Sequence, residues 1–168
     1  GVIALKFITR VFCCLGLALL VGCGATDLGD AVSIRVESSS PTVSKERPIA
    51  LSISLVNQTG ETVRIPVHCG PHFDVLASDG TRVGPPGRIC TAALYPPIEL
   101  PPFGRRVISD WWAGDGEQTD PSAPHPWEGA PLPSGTYSIV ARMPVLVGDE
   151  MVSLSTPPLP TEVVQNER

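Results

Sequence analysis

The sequence predicts an all-β protein, an immunoglobulin-like antiparallel β-sandwich of about seven strands. After residue 30, apolar residues alternate with polar ones at period two, which is expected of strands with one buried face. These runs are short, and Gly, Pro, Asn and Asp residues separate them. Such spacing, with no long stretch of helical periodicity between the runs, is typical of β-sandwiches.

The first runs are VSIRVES near residue 32, IALSISLVN at 49–57 and VRIPVH at 63–68. In the second and third runs large apolar residues occupy every other position, which predicts one buried face for each strand. The segment NQTGE between them predicts a hairpin turn, with Gly60 available for positive φ. Pro66 cannot donate a ladder hydrogen bond, so we expect its strand to lie at an edge or to carry a bulge.

Four more runs complete the set. FDVLASDGTRV predicts a hairpin turning at Asp79–Gly80, and RRVISDWW (105–112) and GTYSIVARM (135–143) predict strands. Each of these two strands follows a Pro-containing turn in which a Gly is expected to take positive φ, and Tyr137 suits a corner tyrosine. The prolines within MVSLSTPPLPTEVV predict an edge strand with a break.

Three tryptophans mark a candidate binding surface. Trp111 and Trp112 are adjacent on a strand, so their indoles point to opposite faces of the sheet. One is expected in the core, and the other is either exposed or covered by the long Pro- and Gly-rich loop at 113–134. Trp127 lies in that loop, and an exposed indole beside it would form an anchor for a protein partner.

The N-terminal segment resembles an export signal. Lys6 and Arg10 precede an uncharged stretch of 16 residues, Val11–Thr26, which is short for a membrane-spanning helix. Within this stretch, Leu20-Val21-Gly22-Cys23 resembles the lipobox of bacterial lipoproteins. The resemblance implies a signal peptide at 1–22, formed as a helix, and an acylated Cys23 that anchors the chain in a membrane lipid layer of the cell envelope, facing the periplasm or the exterior.

The rest of the chain divides into a tether at 23–31, one domain at 32–164 and a tail at 165–168. The formal net charge of −5 argues against a nucleic-acid partner, which would require clustered Lys and Arg. The chain has no G-x-S-x-G nucleophile elbow. We therefore predict a non-catalytic domain that needs no cofactor.

Cys69 and Cys90 are predicted to form a disulfide, because exported proteins occupy compartments that permit the bond. The segment HCGPH also places His68 and His72 beside Cys69. Imidazole and thiolate are ligands that zinc and copper favour, so a small metal site is the alternative.

The order of these signals resembles the BsuPI-type intracellular proteinase inhibitor family over residues 32–156. The residues that carry the resemblance are LSISLVNQTGETVRI, FDVLASDGTRV, the strand ending in Trp111-Trp112, and LPSGTYSIVARM. It implies an immunoglobulin-like sandwich and, as an activity, inhibition of a serine protease.

The sequence thus predicts a membrane-anchored envelope lipoprotein with a binding domain whose partner is an envelope protein or a protease. The alternatives are a proteinase inhibitor of the BsuPI type and a small metal-binding envelope protein.

Overall fold

The protein is an all-β antiparallel sandwich, as predicted, in a computed structural model that describes residues 28–66, 70–87, 96–118 and 129–165. The described chain contains one helical turn, α1, at Leu28–Ala31. No helix within these ranges is long and apolar enough to cross a membrane. The predicted signal-peptide helix lies outside the described residues. The strands are β1 (Val32–Ser38), β2 (Thr42–Val43), β3 (Ile49–Asn57), β4 (Val63–Ile65), β5 (Phe73–Leu76), β6 (Arg82–Gly84), β7 (Ile98–Leu100), β8 (Arg105–Trp112), β9 (Asp115–Gly116), β10 (Ala130–Pro131), β11 (Gly135–Val147), β12 (Glu150–Ser155) and β13 (Leu159–Val163).

Two sheets face each other across one core. Sheet I has the order β1-β3-β8 and is antiparallel throughout. Sheet II has eight strands, with β2-β13-β11-β4-β7 as its main path and β5, β6 and β12 attached to it. The core is built from inward-facing side chains of both sheets, of which the largest fully buried ones are Trp112, Ile49, Leu51, Ile53, Leu55, Leu100, Ile139 and Met143.

Strand β11 is the centre of sheet II. Its 13 residues pair with β13 and then β12 along one edge, and with β5 and then β4 along the other. Between β12 and β13 the ladder is interrupted, and Thr156 closes the gap. Its N–H donates to the Ala141 carbonyl at 3.0 Å, and its hydroxyl accepts from the Ala141 N–H at 3.0 Å. A side chain thus replaces a ladder bond at the break.

Each of the seven predicted runs contains a strand. The break predicted within MVSLSTPPLPTEVV separates β12 from β13.

The β5–β6 hairpin turns at Asp79–Gly80, and Gly80 has a φ of 83°. The Thr81 N–H donates to the Asp79 carboxylate at 2.9 Å and lowers the pKa of Asp79. The Tyr137 hydroxyl donates to the Pro133 carbonyl at 3.0 Å, the bond expected of a corner tyrosine.

The hairpin predicted between β3 and β4 is wrong. Strand β3 pairs with β1 and β8, whereas β4 pairs with β7 and β11, so the segment between them crosses from sheet I to sheet II. Gly60 does not take positive φ. Alternation shows which face of a strand is buried, but it does not select the strand's neighbours.

The edge position predicted from Pro66 is also wrong. Strand β4 has a neighbour on both sides and ends at Ile65, so the proline follows the ladder without interrupting it.

The predicted long loop at 113–134 begins and ends in a two-stranded stem, because β9 pairs with β10. Ala31, which the sequence placed in the tether, is buried in the core at 3% exposure.

We predict that Thr156→Val lowers the free energy of unfolding by about 1–3 kcal/mol, because it leaves the buried Ala141 N–H without its acceptor while conserving side-chain shape. Urea denaturation measures this change. Thr136→Val is the matched control, because Thr136 is exposed on β11, the strand that Thr156 contacts. Equal midpoints for the two variants would contradict the role assigned to the Thr156 hydroxyl.

Candidate functional site

Strand β8 ends in two tryptophans that point in opposite directions, as predicted. Trp112 faces the core and is 1% exposed, and its indole N–H donates to the Asp115 carbonyl at 2.8 Å. Trp111 faces outward and is 60% exposed. The pleat of the strand therefore buries the Trp112 indole and exposes the Trp111 indole. Of the predicted binding residues that the structure describes, Trp111 is the one at the surface.

Trp111 borders a groove of about 400 Å³ at one end of the sandwich. Leu132 and Val164 give this groove apolar surface, while Lys45, Glu46 and Gln165 supply polar groups. Val164 is itself 40% exposed. A concave surface with an exposed aromatic ring, apolar walls and a few polar groups is the usual form of a binding site. We call this region the Trp111 groove.

Backbone hydrogen bonds hold the walls of the Trp111 groove. The Leu132 N–H donates to the Gly114 carbonyl at 3.0 Å, and the Val164 N–H donates to the Val43 carbonyl at 2.9 Å. The Gln165 side chain closes one corner by donating to the Leu132 carbonyl at 2.6 Å. The surface around Trp111 is therefore formed by fixed backbone segments.

The β9–β10 stem beside the groove is tightly packed. A Cβ atom on Gly129 would lie 2.8 Å from both the Asp115 Cβ and the Pro86 Cγ, so a larger residue there would force this packing to shift. The stem is also joined to the β5–β6 hairpin, because the Glu117 N–H donates to the Val83 carbonyl at 2.8 Å and the Glu117 carboxylate pairs with Arg82. The base of the 113–134 loop is consequently part of the sandwich.

A buried carboxylate lies one residue before Trp111. Asp110 faces inward from β8 at 6% exposure and accepts from the Trp111 N–H at 2.9 Å and from the His72 N–H at 3.3 Å. The His72 Nδ1 lies 3.5 Å from the same carboxylate. Because His72 directly precedes β5, Asp110 links the edge of sheet I to the start of a strand in sheet II.

The opposite end of the sandwich is organised by Asn57, which is 1% exposed. Its amide nitrogen lies 2.7 Å from the Glu61 carbonyl, 2.9 Å from that of Pro101 and 3.2 Å from that of Leu100. Its amide oxygen accepts from the Thr59 N–H at 2.9 Å. One buried side chain thereby joins the β3–β4 connection to the β7–β8 turn.

The structure describes only some of the predicted site residues. Trp111, Trp112 and His72 are described, and the structure brings His72 next to Asp110. The predicted lipidation site, disulfide partners, third tryptophan and other histidine lie outside the described residues; these are Cys23, Cys69, Cys90, Trp127 and His68. Within the described ranges no group of three or more His, Cys, Asp and Glu side chains is placed to hold a metal ion.

Sequence reasoning missed Asp110. The available signal was its position in RRVISDWW, where alternate residues 106, 108, 110 and 112 share one face. Since Trp112 belongs to the core, an aspartate two residues earlier points inward too. A buried acid at such a position needs hydrogen-bond donors, and the backbone N–H groups of His72 and Trp111 supply them.

Comparison with known proteins supports the fold. No family model and no curated protein matches the chain. Among solved structures, the C-terminal domain of wzt is similar at a TM-score of 0.50 and 11% identity, over 82% of this chain and 75% of that one. The structural-genomics target SoR45 is similar at a TM-score of 0.46 and 10% identity, over 80% and 88%. A β-glucosidase from Listeria innocua, solved with glucose, is similar at a TM-score of 0.35 and 11% identity, over 79% of this chain and 16% of that one.

We predict that Trp112→Ala lowers the free energy of unfolding by about 3–5 kcal/mol, because it leaves a large cavity in the core. Trp111→Ala, one residue away, is the matched control and should change it by less than about 1 kcal/mol, as for most surface substitutions. Chemical denaturation followed by far-UV circular dichroism measures both. A large loss of stability in Trp111→Ala would show that its indole serves packing and would remove it as a binding residue.

Proposed function

We propose that this chain is a bacterial envelope lipoprotein, anchored through an acylated Cys23, whose sandwich is a non-catalytic module that binds a protein partner in the Trp111 groove. The observation that carries the proposal is the 60% exposure of Trp111 on a groove with apolar walls. Tryptophan is enriched among residues that dominate protein–protein binding energy, particularly where it enters a packed pocket.

The position of the groove in the fold agrees with a membrane-anchored binding module. Val32, where β1 begins, pairs with Asn57 at one end of β3. Trp111 pairs with Ala50 near the other end of β3. Strand β3 has nine residues, and at about 3.3 Å per residue it is roughly 30 Å long. The groove therefore lies at the end of the sandwich opposite the one from which the N-terminal segment leaves.

Lipid anchoring is tested on the full chain expressed in a bacterium. Cys23→Ser should abolish incorporation of an alkyne-tagged fatty acid and transfer the protein from the detergent phase to the aqueous phase in Triton X-114 partition. Acylation depends on the Cys23 thiol, and without acyl chains the domain loses its stable hold on the bilayer. Cys90→Ser is the control and should retain the label. Equal labelling of the parent and Cys23→Ser would contradict the proposal.

The Trp111 groove is tested with a photo-crosslinking amino acid at position 111 of the anchored protein in cells. We expect an adduct with a defined envelope protein, which is then purified for affinity measurement. Trp111→Ala should raise the Kd for that protein by roughly 30-fold or more, the effect expected of a binding hot spot. The control is Val107→Ala, since Val107 is 45% exposed on the same face of β8. Unchanged affinity in Trp111→Ala would overturn the assignment.

Protease inhibition, the alternative implied by the BsuPI resemblance, has a separate test. The chain is titrated against a subtilisin-class serine protease while residual activity and the integrity of both proteins are followed. Loss of activity near equal molar ratio, with this chain uncut, would make a protease the partner. Unchanged activity would remove inhibition of this protease class from the proposal.

A further inference from the structure

The most exposed large apolar side chain in the described ranges is Phe103, at 73% exposure. It lies in the four-residue turn Pro101-Pro102-Phe103-Gly104 between β7 and β8. The Gly104 N–H donates to the Pro101 carbonyl at 2.9 Å, which closes the turn. A Cβ atom on Gly104 would lie 2.7 Å from a Pro101 side-chain carbon, so the turn has no room for a larger residue there. The turn therefore holds Phe103 out into solvent.

Phe103 occupies an unfavourable backbone conformation. Its φ is 55°, and within the described residues it is the one residue other than glycine whose φ is positive. With proline at the second position, this turn normally takes glycine or asparagine at the third, where φ is positive. Phenylalanine there is disfavoured by contact between its Cβ and the backbone, and its exposed ring gains little packing in return. A position that glycine would fill more favourably instead presents an aromatic ring.

The turn lies at the end of the sandwich where the N-terminal segment leaves. The Gln58 N–H donates to the Ala31 carbonyl at 2.9 Å, and the Phe103 N–H donates to the Thr59 carbonyl at 3.2 Å. Ala31 and Phe103 are thus bonded to neighbouring residues of one connection. Asn57 fixes that connection to the turn through the Pro101 carbonyl. The position of the ring relative to the start of the domain is set by backbone hydrogen bonds.

Charge around the turn is mixed. Arg105 and Arg106 follow it directly and are both exposed. Acidic residues at this end are Glu61 in the neighbouring connection, Glu99 on β7 and the exposed Asp30 beside Ala31, and Arg64 pairs in register with Glu99. The turn itself carries no acidic residue, so its own surface consists of an aromatic ring, two prolines and the two arginines that follow. Arginine side chains next to an interfacial aromatic ring are suited to anionic lipid headgroups.

We propose that the Pro101–Gly104 turn rests in the headgroup region of an anionic phospholipid bilayer, with the Phe103 ring inserted and Arg105 and Arg106 on lipid phosphates. This inference rests on the proposed acylation of Cys23. With the domain beginning at α1, only a few residues separate Cys23 from the sandwich, so the anchor keeps this end of the domain near the bilayer. A single aromatic ring binds a bilayer weakly by itself, but beside a covalent anchor it orients the domain and directs the Trp111 groove away from the surface.

The test uses the acylated protein reconstituted into vesicles of phosphatidylethanolamine and phosphatidylglycerol, with and without brominated acyl chains. Phe103→Trp adds an emitter at the turn, and the emission of the parent protein is subtracted to remove the native tryptophans. The control, Val107→Trp, adds an emitter four residues along β8, toward the Trp111 end. We expect brominated lipid to quench the emission added at 103 at least about twofold more than that added at 107, as for a ring in the interface.

Two further outcomes separate this inference from the proposed function. Acylation of Cys23 is verified first by peptide mass, and anchoring by flotation with the vesicles. An acylated protein that floats, yet shows equal quenching at positions 103 and 107, overturns the membrane contact of the turn and leaves the lipoprotein assignment standing. A protein that is not acylated at Cys23 overturns both proposals.

Discussion

Sheet II depends on a single strand, because β11 offers hydrogen bonds along both of its edges for 13 residues. Four strands add to those edges, and β12 and β13 do so one after the other on the same side. The backbone N–H and C=O groups of a buried strand must be paired, so any gap in the ladder has to be filled. Thr156 fills it with its own hydroxyl and N–H, which allows the chain to pass Pro157 and Pro158 without leaving Ala141 unsatisfied.

Each end of the sandwich is fixed by one buried polar side chain. Asn57 holds the end from which the N-terminal segment leaves, where its amide joins two connections from different parts of the chain. Asp110 holds the other end, where its carboxylate joins β8 to His72, the residue directly before β5. Both residues follow the same rule: a buried polar group is tolerated only with its hydrogen-bonding capacity used, and here that use ties loops to strands.

This arrangement separates two surfaces of different character. The Trp111 groove occupies the Asp110 end, with an indole over apolar walls and a few polar groups. The Phe103 turn occupies the Asn57 end, beside the start of β1. Because rigid strands join the two ends, a contact that orients one end also determines the direction in which the other faces. A lipid-anchored domain with this geometry would present its binding surface outward from the membrane.

The sequence by itself determined the seven main strand runs and the inward-facing apolar residues within them, because alternation and turn residues act over a few positions; it did not predict the short strands β2, β7, β9 and β10. It placed Trp111 and Trp112 on opposite faces and found the break between β12 and β13. It did not determine that β3 and β4 belong to different sheets, that Phe103 rather than Gly104 takes positive φ, or that Asp110 meets His72. Those features were decided by the tertiary structure. Strand pairing and buried hydrogen bonds join residues that are far apart in the chain, and a local sequence pattern does not indicate which distant residue will be the partner.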